Sequence, residues 1–218
     1  GNDTLSALFA AKASMYAKAI GSTSAGAIAS GYCNTADVSG NAIKMYGEAG
    51  NDTLGLTLTA DASLYAFASA TAAVGSADAT AYSYASANVY SNTITMTGGA
   101  GDDTLSALLG ATAKIEAMAK APSDADAYAY SYASATVSNN TVKMNGGTGN
   151  DTMSVTLMAD ALAYASASAP SGDATAYAYY ASADVCNNTI TMTGGAGDDT
   201  LLAQLTANAK ASAIAIGS

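Results

Sequence analysis

The sequence predicts an all-β chain, a flat, two-layered, parallel β-solenoid of right-handed sense, and three observations predict it. A unit of about 48 residues recurs, marked by Asp3, Asp52, Asp103, Asp151 and Asp199 in the segments GNDTL, GEAGNDTL, GGAGDDTL, GGTGNDTM and GGAGDDTL. Within a unit the apolar period is two: from Leu105 to Ala121 every odd position is apolar, while Ser106, Thr112, Lys114, Glu116 and Lys120 fall between. A helix would scatter those alanines round its circumference, so the alternation overrides the helix propensity of Ala and specifies strands with one buried face. Third, 50% of the 218 residues are hydrophobic but only 7% are aromatic, so no thick core of large side chains can form.

Each unit opens with a long strand (Thr104 to Ala121 in the third), turns at Pro122-Ser123-Asp124, and returns as a second strand from Ala125 to Val137. A jog at Asn139-Asn140, a short third strand from Thr141 to Asn145 and a Gly-rich loop close it. The outgoing strand matches the returning ones in length, so one unit forms one flat coil. Two half-period coils per unit are the alternative, and the unbroken alternation from Leu105 to Ala121 argues against them. Rows of Ala should bring the layers closer than the ~10 Å of ordinary stacked sheets. Because one buried methyl contributes only about 0.8 kcal/mol, coils must stack and share backbone hydrogen bonds to offset their ordering entropy. The chain is thus one repeat array over 1–218, with coils at approximately 1–49, 50–100, 101–148 and 149–196 and a partial coil at 197–218.

Charge and composition exclude several classes of function. All 7 basic residues are Lys against 17 acids, and the net charge of −10 favours cations over nucleic acid as partners. With no His there is no imidazole base, no His-ligated zinc and no Ser-His or Cys-His dyad. No catalytic constellation stands out, so the chain is expected not to be an enzyme. Cys33 and Cys186 are three coils apart, about 14 Å at ~4.8 Å per coil, and are expected to remain thiols. No stretch reads as a bilayer span.

The loop Gly98-Gly99-Ala100-Gly101-Asp102-Asp103-Thr104-Leu105-Ser106 fits the nonapeptide GGxGxDxUx at every fixed position. Gly146 to Ser154 and Gly194 to Leu202 fit it too, and the loop at Gly47 departs only by Glu48. Glycines allow the left-handed turns that aim carbonyls inward, and Asp adds a hard anionic oxygen. This pattern resembles the RTX, or haemolysin-type, calcium-binding repeat family, whose fold is a β-helix or β-roll. The resemblance implies calcium held by the carboxylates of Asp52, Asp103, Asp151 and Asp199, with Asp3 in a shortened loop. It further implies ligating carbonyls at Gly47, Gly98, Gly146 and Gly194 and at Ala49, Ala100, Thr148 and Ala196. RTX repeats usually run in tandem every nine residues and place metal on both edges of a roll. Here they occur once per unit, which leaves one calcium-loop edge; the other edge carries Asp78, Asp124 and Asp173 in plain capping turns.

Two further series share the period. Asn41, Asn92, Asn140 and Asn188 are expected to stack as an amide ladder at the jog. Tyr82 and Tyr84, Tyr130 and Tyr132, and Tyr179 and Tyr180 are expected to form a stripe on the outer face of the second strand, for ladder stabilisation or lateral packing. The function expected is that of an extracellular or cell-surface calcium-binding structural protein: a matrix, surface-layer, adhesin-stalk or filament component. The calcium-binding portion of a larger type I secreted enzyme or toxin is the alternative. An ice-binding surface is a third reading, suggested by the threonines of Thr93 to Thr97 and Thr189 to Thr193 and weakened by Lys143 and Asn145 between them. Because the sequence starts inside a loop at Gly1 and stops at Ser218, further coils in the parent chain and self-association end to end or laterally are also expected.

Overall fold

In the computed structural model, residues 1–22, 26–71, 78–122 and 125–217 are described. Among these residues thirteen strands follow one another: β1 Thr4–Ser22, β2 Ala27–Ser39, β3 Ala42–Ala49, β4 Thr53–Thr71, β5 Ala79–Tyr90, β6 Thr93–Ala100 and β7 Thr104–Lys120. Then come β8 Ala127–Ser138, β9 Thr141–Thr148, β10 Thr152–Ala169, β11 Ala174–Cys186, β12 Thr189–Ala196 and β13 Thr200–Gly217. They sort by threes into parallel sheets: β1-β4-β7-β10-β13 (sheet A), β2-β5-β8-β11 (sheet B) and β3-β6-β9-β12 (sheet C). Every strand pairs with its counterpart one unit away, as in Leu54 with Leu105 and Ala79 with Ala127. The fold is a parallel β-solenoid with one coil per unit.

Sheet A forms one layer, and sheets B and C together form the other. Inward positions are filled almost wholly by Ala in the half where A faces B: Ala60, Ala62, Ala66 and Ala68 against Ala79, Ala81, Ala85 and Ala87, all nearly solvent-free. Facing Cα atoms of A and B come within 8 Å, closer than ordinary stacked sheets. Toward the Gly-rich edge the interior changes to Leu54, Leu58, Ile94, Met96, Leu105, Leu109, Met144 and Met153, all fully buried. The cross-section therefore widens from an Ala-filled side to a Leu- and Met-filled side. In the thin half, Leu64 fits because its neighbour across the layers is Gly31, where a Cβ would overlap the leucine methyls.

Two boundaries differ from the sequence expectation by more than one residue. The third strand of each coil runs three residues further, to Thr148 in β9, because Gly147 and Thr148 continue the ladder with Gly195 and Ala196. The second strand starts later, at Ala127 rather than Ala125. At the jog, Ser91, Asn139 and Asn187 adopt φ of 56°, 54° and 53° and Gly40 adopts 68°, the left-handed conformation that lets the next residue turn inward. Of the turn at Pro122-Ser123-Asp124 the last two residues lie outside the described residues, as do Ser218 and the Cys33 side chain. Cys186 is a free, exposed thiol on β11, and β2 and β11 are the two outermost strands of sheet B.

Candidate metal centre

The Gly-rich loops stack on one edge, between the end of each sheet-C strand and the start of the next sheet-A strand. Two positions per loop are left-handed: Glu48 (φ 76°) and Gly50 (124°), Gly99 (118°) and Gly101 (129°), Gly147 (110°) and Gly149 (126°), Gly195 (111°) and Gly197 (137°). At the glycines among them stacking also forbids a side chain. A Cβ at Gly99 would strike the carbonyl of Glu48, and one at Gly147 that of Gly99.

One aspartate per loop turns inward. The Oδ1 of Asp52 accepts the N–H of Asp3 at 2.6 Å, Asp103 that of Asp52 at 2.7 Å, Asp151 that of Asp103 at 2.9 Å and Asp199 that of Asp151 at 3.0 Å. Asp52, Asp103 and Asp151 are each 1% exposed. Their second oxygens, Oδ2, are buried without a hydrogen-bond partner. An unpartnered buried carboxylate oxygen is costly. Burial, chiefly, and the charges of Asp151, Asp52 and Asp102 hold the Asp103 carboxyl above its ordinary range, against the lowering effect of the Asp52 N–H.

Each orphan oxygen borders a space that the first glycine of the motif keeps open. A Cβ at Gly47 would meet Asp52 Oδ2 and the carbonyl of Gly98, and a Cβ at Gly98 would meet Asp103 Oδ2 and the carbonyl of Gly146. Glycines 146 and 194 open the same space beside Asp151 and Asp199. Carbonyl and carboxylate oxygens of adjacent coils thus converge with no nitrogen or sulfur donor, a set that fits a hard cation such as Ca²⁺. The carbonyls of Ala49, Ala100, Thr148 and Ala196 accept N–H groups of Gly1, Gly50, Gly101 and Gly149 at 2.7 to 2.8 Å, which occupies one lone pair of each. Among the described residues no three His, Cys, Asp or Glu side chains converge, so a cation here draws on the backbone for most of its ligands.

A second ladder on this edge escaped the sequence reading. Asn2 accepts the N–H of Asn51, Asn51 that of Asp102, Asp102 that of Asn150 and Asn150 that of Asp198, at 2.8 to 3.0 Å. Its signal is the variable position before the conserved aspartate, which is Asn or Asp in every copy. Alternating Asn with Asp keeps like charges from stacking directly.

Elsewhere, Asn92 Oδ1 accepts from the N–H and Nδ2 of Asn41, Asn140 from those of Asn92, and Asn188 from those of Asn140, at 2.9 to 3.1 Å. Tyr82 stacks on Tyr130 at 4.8 Å and Tyr84 on Tyr132 at 4.7 Å. In the fourth coil Tyr180 stacks on Tyr132 at 5.0 Å and Tyr179 on Tyr130 at 5.7 Å, as expected; Tyr177, in backbone register with Tyr130, also stacks on it at 5.6 Å, and Tyr179 is the extra residue of a bulge. On the far edge the repeating acid is Asp126 rather than Asp124. Asp78, Asp126 and Asp173 each directly precede a sheet-B strand, and Asp78 and Asp126 accept the N–H of Asp126 and Asp173.

A family model of the RTX calcium-binding nonapeptide repeat matches the chain in four copies, over residues 44–54, 95–111 and 191–204. The chain is therefore a parallel β-solenoid that carries RTX calcium-binding repeats. Gly146 to Ser154, outside those matches, occupies the same edge in register between its neighbours. Comparison with curated proteins and with solved structures found no significant match.

Proposed function

We propose that this chain is an extracellular structural protein, a matrix, surface-layer, adhesin-stalk or filament component, whose solenoid is folded and stiffened by calcium and which does no catalysis of its own. The observation that carries this reading is the row of buried, unpartnered Oδ2 atoms of Asp52, Asp103 and Asp151. Without a cation these charges stack at the ~4.8 Å strand repeat and repel one another. Calcium would be held by these oxygens, that of Asp199 and the carbonyls of Gly98 and Gly146. RTX repeats are typical of secreted proteins, and millimolar external calcium suits weak sites repeated along an edge, so ordering follows export.

Far-UV circular dichroism with and without chelator tests this. Chelated chain should show a largely disordered spectrum, and excess calcium should raise a β spectrum by mass action. A β spectrum that persists unchanged in chelator would refute calcium-coupled folding.

A further inference from the structure

Over the half of the slab where sheet A faces sheet B, lysine is confined to the outer face of sheet A. From sheet A project Lys12, Lys18, Lys114, Lys120 and Lys210, five of the seven lysines, all exposed. They share that face with Asp61 and Asp160 and with the row Tyr16-Tyr65-Glu116-Tyr164, in which Tyr16 and Tyr65 stack at 5.2 Å. The outer face of sheet B carries no lysine. It has two tyrosine rows instead, Tyr82-Tyr130-Tyr177 and Tyr84-Tyr132-Tyr180, with Tyr32 stacked on Tyr82 and Tyr179 on Tyr130 from irregular stretches of their strands and an open groove between the rows. Acids flank the rows on both sides: Asp37 and Asp184 toward the jog, and Asp78, Asp126 and Asp173 at the far edge.

The two patches also lie back to back through the slab. Gly31, in register with Ser131, packs on Leu64, which is in register with Ile115. Asn34 donates to the Ser63 carbonyl at 2.6 Å, and Gly217 packs on Ala174. The Tyr130 and Tyr132 rows are thus directly behind the Glu116 and Lys114 rows, and Asp126 is behind Lys120. A second copy translated along the slab normal would set its Lys114 and Lys210 row over the Tyr84-Tyr132-Tyr180 row, its Tyr65 row over the Tyr82-Tyr130 row, and Lys18 and Lys120 near Asp78, Asp126 and Asp173.

We propose that the partner of the tyrosine face is a second copy of this chain, presenting its lysine-bearing sheet-A face, so that slabs stack face to back. Because the stacked rings cover one another's faces, lysine ammonium groups set over the rows meet the phenol hydroxyls and donate hydrogen bonds to them, and the flanking aspartates fix register. Sheet B, with strands of about 12 residues at ~3.3 Å and four strands at ~4.8 Å, offers about 800 Å² per partner, the size of a standard stable interface. The contact is heterologous and leaves one face free at each end, so it propagates as a multilayer at right angles to the solenoid axis.

The inference rests on the calcium-folded solenoid, and the test separates the two. A mixture of ¹⁴N- and ¹⁵N-labelled chain, shown by circular dichroism to be folded in calcium, is coupled with carbodiimide and digested. Inter-chain links are expected from Lys18, Lys114, Lys120 and Lys210 to Asp126, Asp173 and Asp184. One variant carries Lys114→Glu, Lys120→Glu and Lys210→Glu, and a second carries Tyr84→Ser, Tyr132→Ser and Tyr180→Ser. Each alone should lose the links by at least about fivefold, and a 1:1 mixture should regain them in one direction, from lysines of the tyrosine variant to aspartates of the lysine variant. Folded protein without such links, links that survive in either variant alone, or a mixture that regains none would overturn face-to-back stacking and leave the calcium reading intact. Absence of a β spectrum in calcium would overturn the calcium reading and this inference with it.

Discussion

Asp103 carries two opposed duties, since one carboxylate oxygen accepts the Asp52 N–H in the ladder and the other is held without a partner. Its carboxyl is raised above the ordinary 3.8 chiefly by burial, so in chelator the folded state holds its proton more tightly than the unfolded state does. The resulting stabilisation is complete below the unfolded value and is lost as pH rises through the folded one. In chelator the small folded fraction should therefore shrink further as pH goes from 4 to 7, and Asp103→Asn should flatten that slope. In calcium the ionised form is required, so the slope should reverse, and Asp103→Asn should weaken calcium binding at least about tenfold, or about 1.4 kcal/mol. Circular dichroism in chelator and thermal melts in calcium at several pH values, with calcium titrations of both proteins, check this. The inward aspartates were legible in the sequence because the motif fixes their neighbours. The outer Asn2-Asn51-Asp102 ladder was not, because Asn and Asp look like unrelated variation until their shared ability to accept a backbone N–H is seen in register.

Strand register rests heavily on the jog. Asn140 accepts two bonds from Asn92 and donates to Asn188 Oδ1 and the Val89 carbonyl, each near 3.0 Å, in a site 1% exposed. Replacing it with Ala orphans several buried groups at once, and we expect a loss of about 3–5 kcal/mol. Asn41→Ala, at a more open site, should cost about 1 kcal/mol. Urea unfolding at fixed calcium compares the two. Strand type and order were readable from the period of two. The turn into β8 was misread because Asp124 and Asp126 are both plausible capping residues, and only inter-coil pairing separates Asp126, whose N–H reaches Asp78. The extra residue at Tyr179 was equally hidden, since three tyrosines within four positions permit more than one alignment with Tyr130 and Tyr132.

The whole molecule is a one-dimensional stack in which each coil pairs with the coils above and below, so stability sums over coils and their shared boundaries. Asp151 accepts from Asp103 below and donates its N–H to Asp199 above, whereas Asp3 only donates. Asp151→Ala should thus lower both calcium affinity and the steepness of calcium-induced folding more than Asp3→Ala. Calcium titrations followed at 218 nm decide it, and equal effects would count against sites shared between coils. The 48-residue period announced this architecture, but the taper from Leu and Met to Ala was implicit in which half of each strand held which residues.

One coil spends about 48 residues to advance the stack by a single ~4.8 Å strand spacing. Drawn straight, the same residues reach about 160 Å at ~3.3 Å each. A load applied along the axis meets the inter-coil hydrogen bonds end-on and breaks them one layer at a time, and every layer that yields releases some thirtyfold its folded contribution to length. The stack is in effect a spool: short and stiff while its layers hold, and able under tension to absorb work by paying out slack coil by coil.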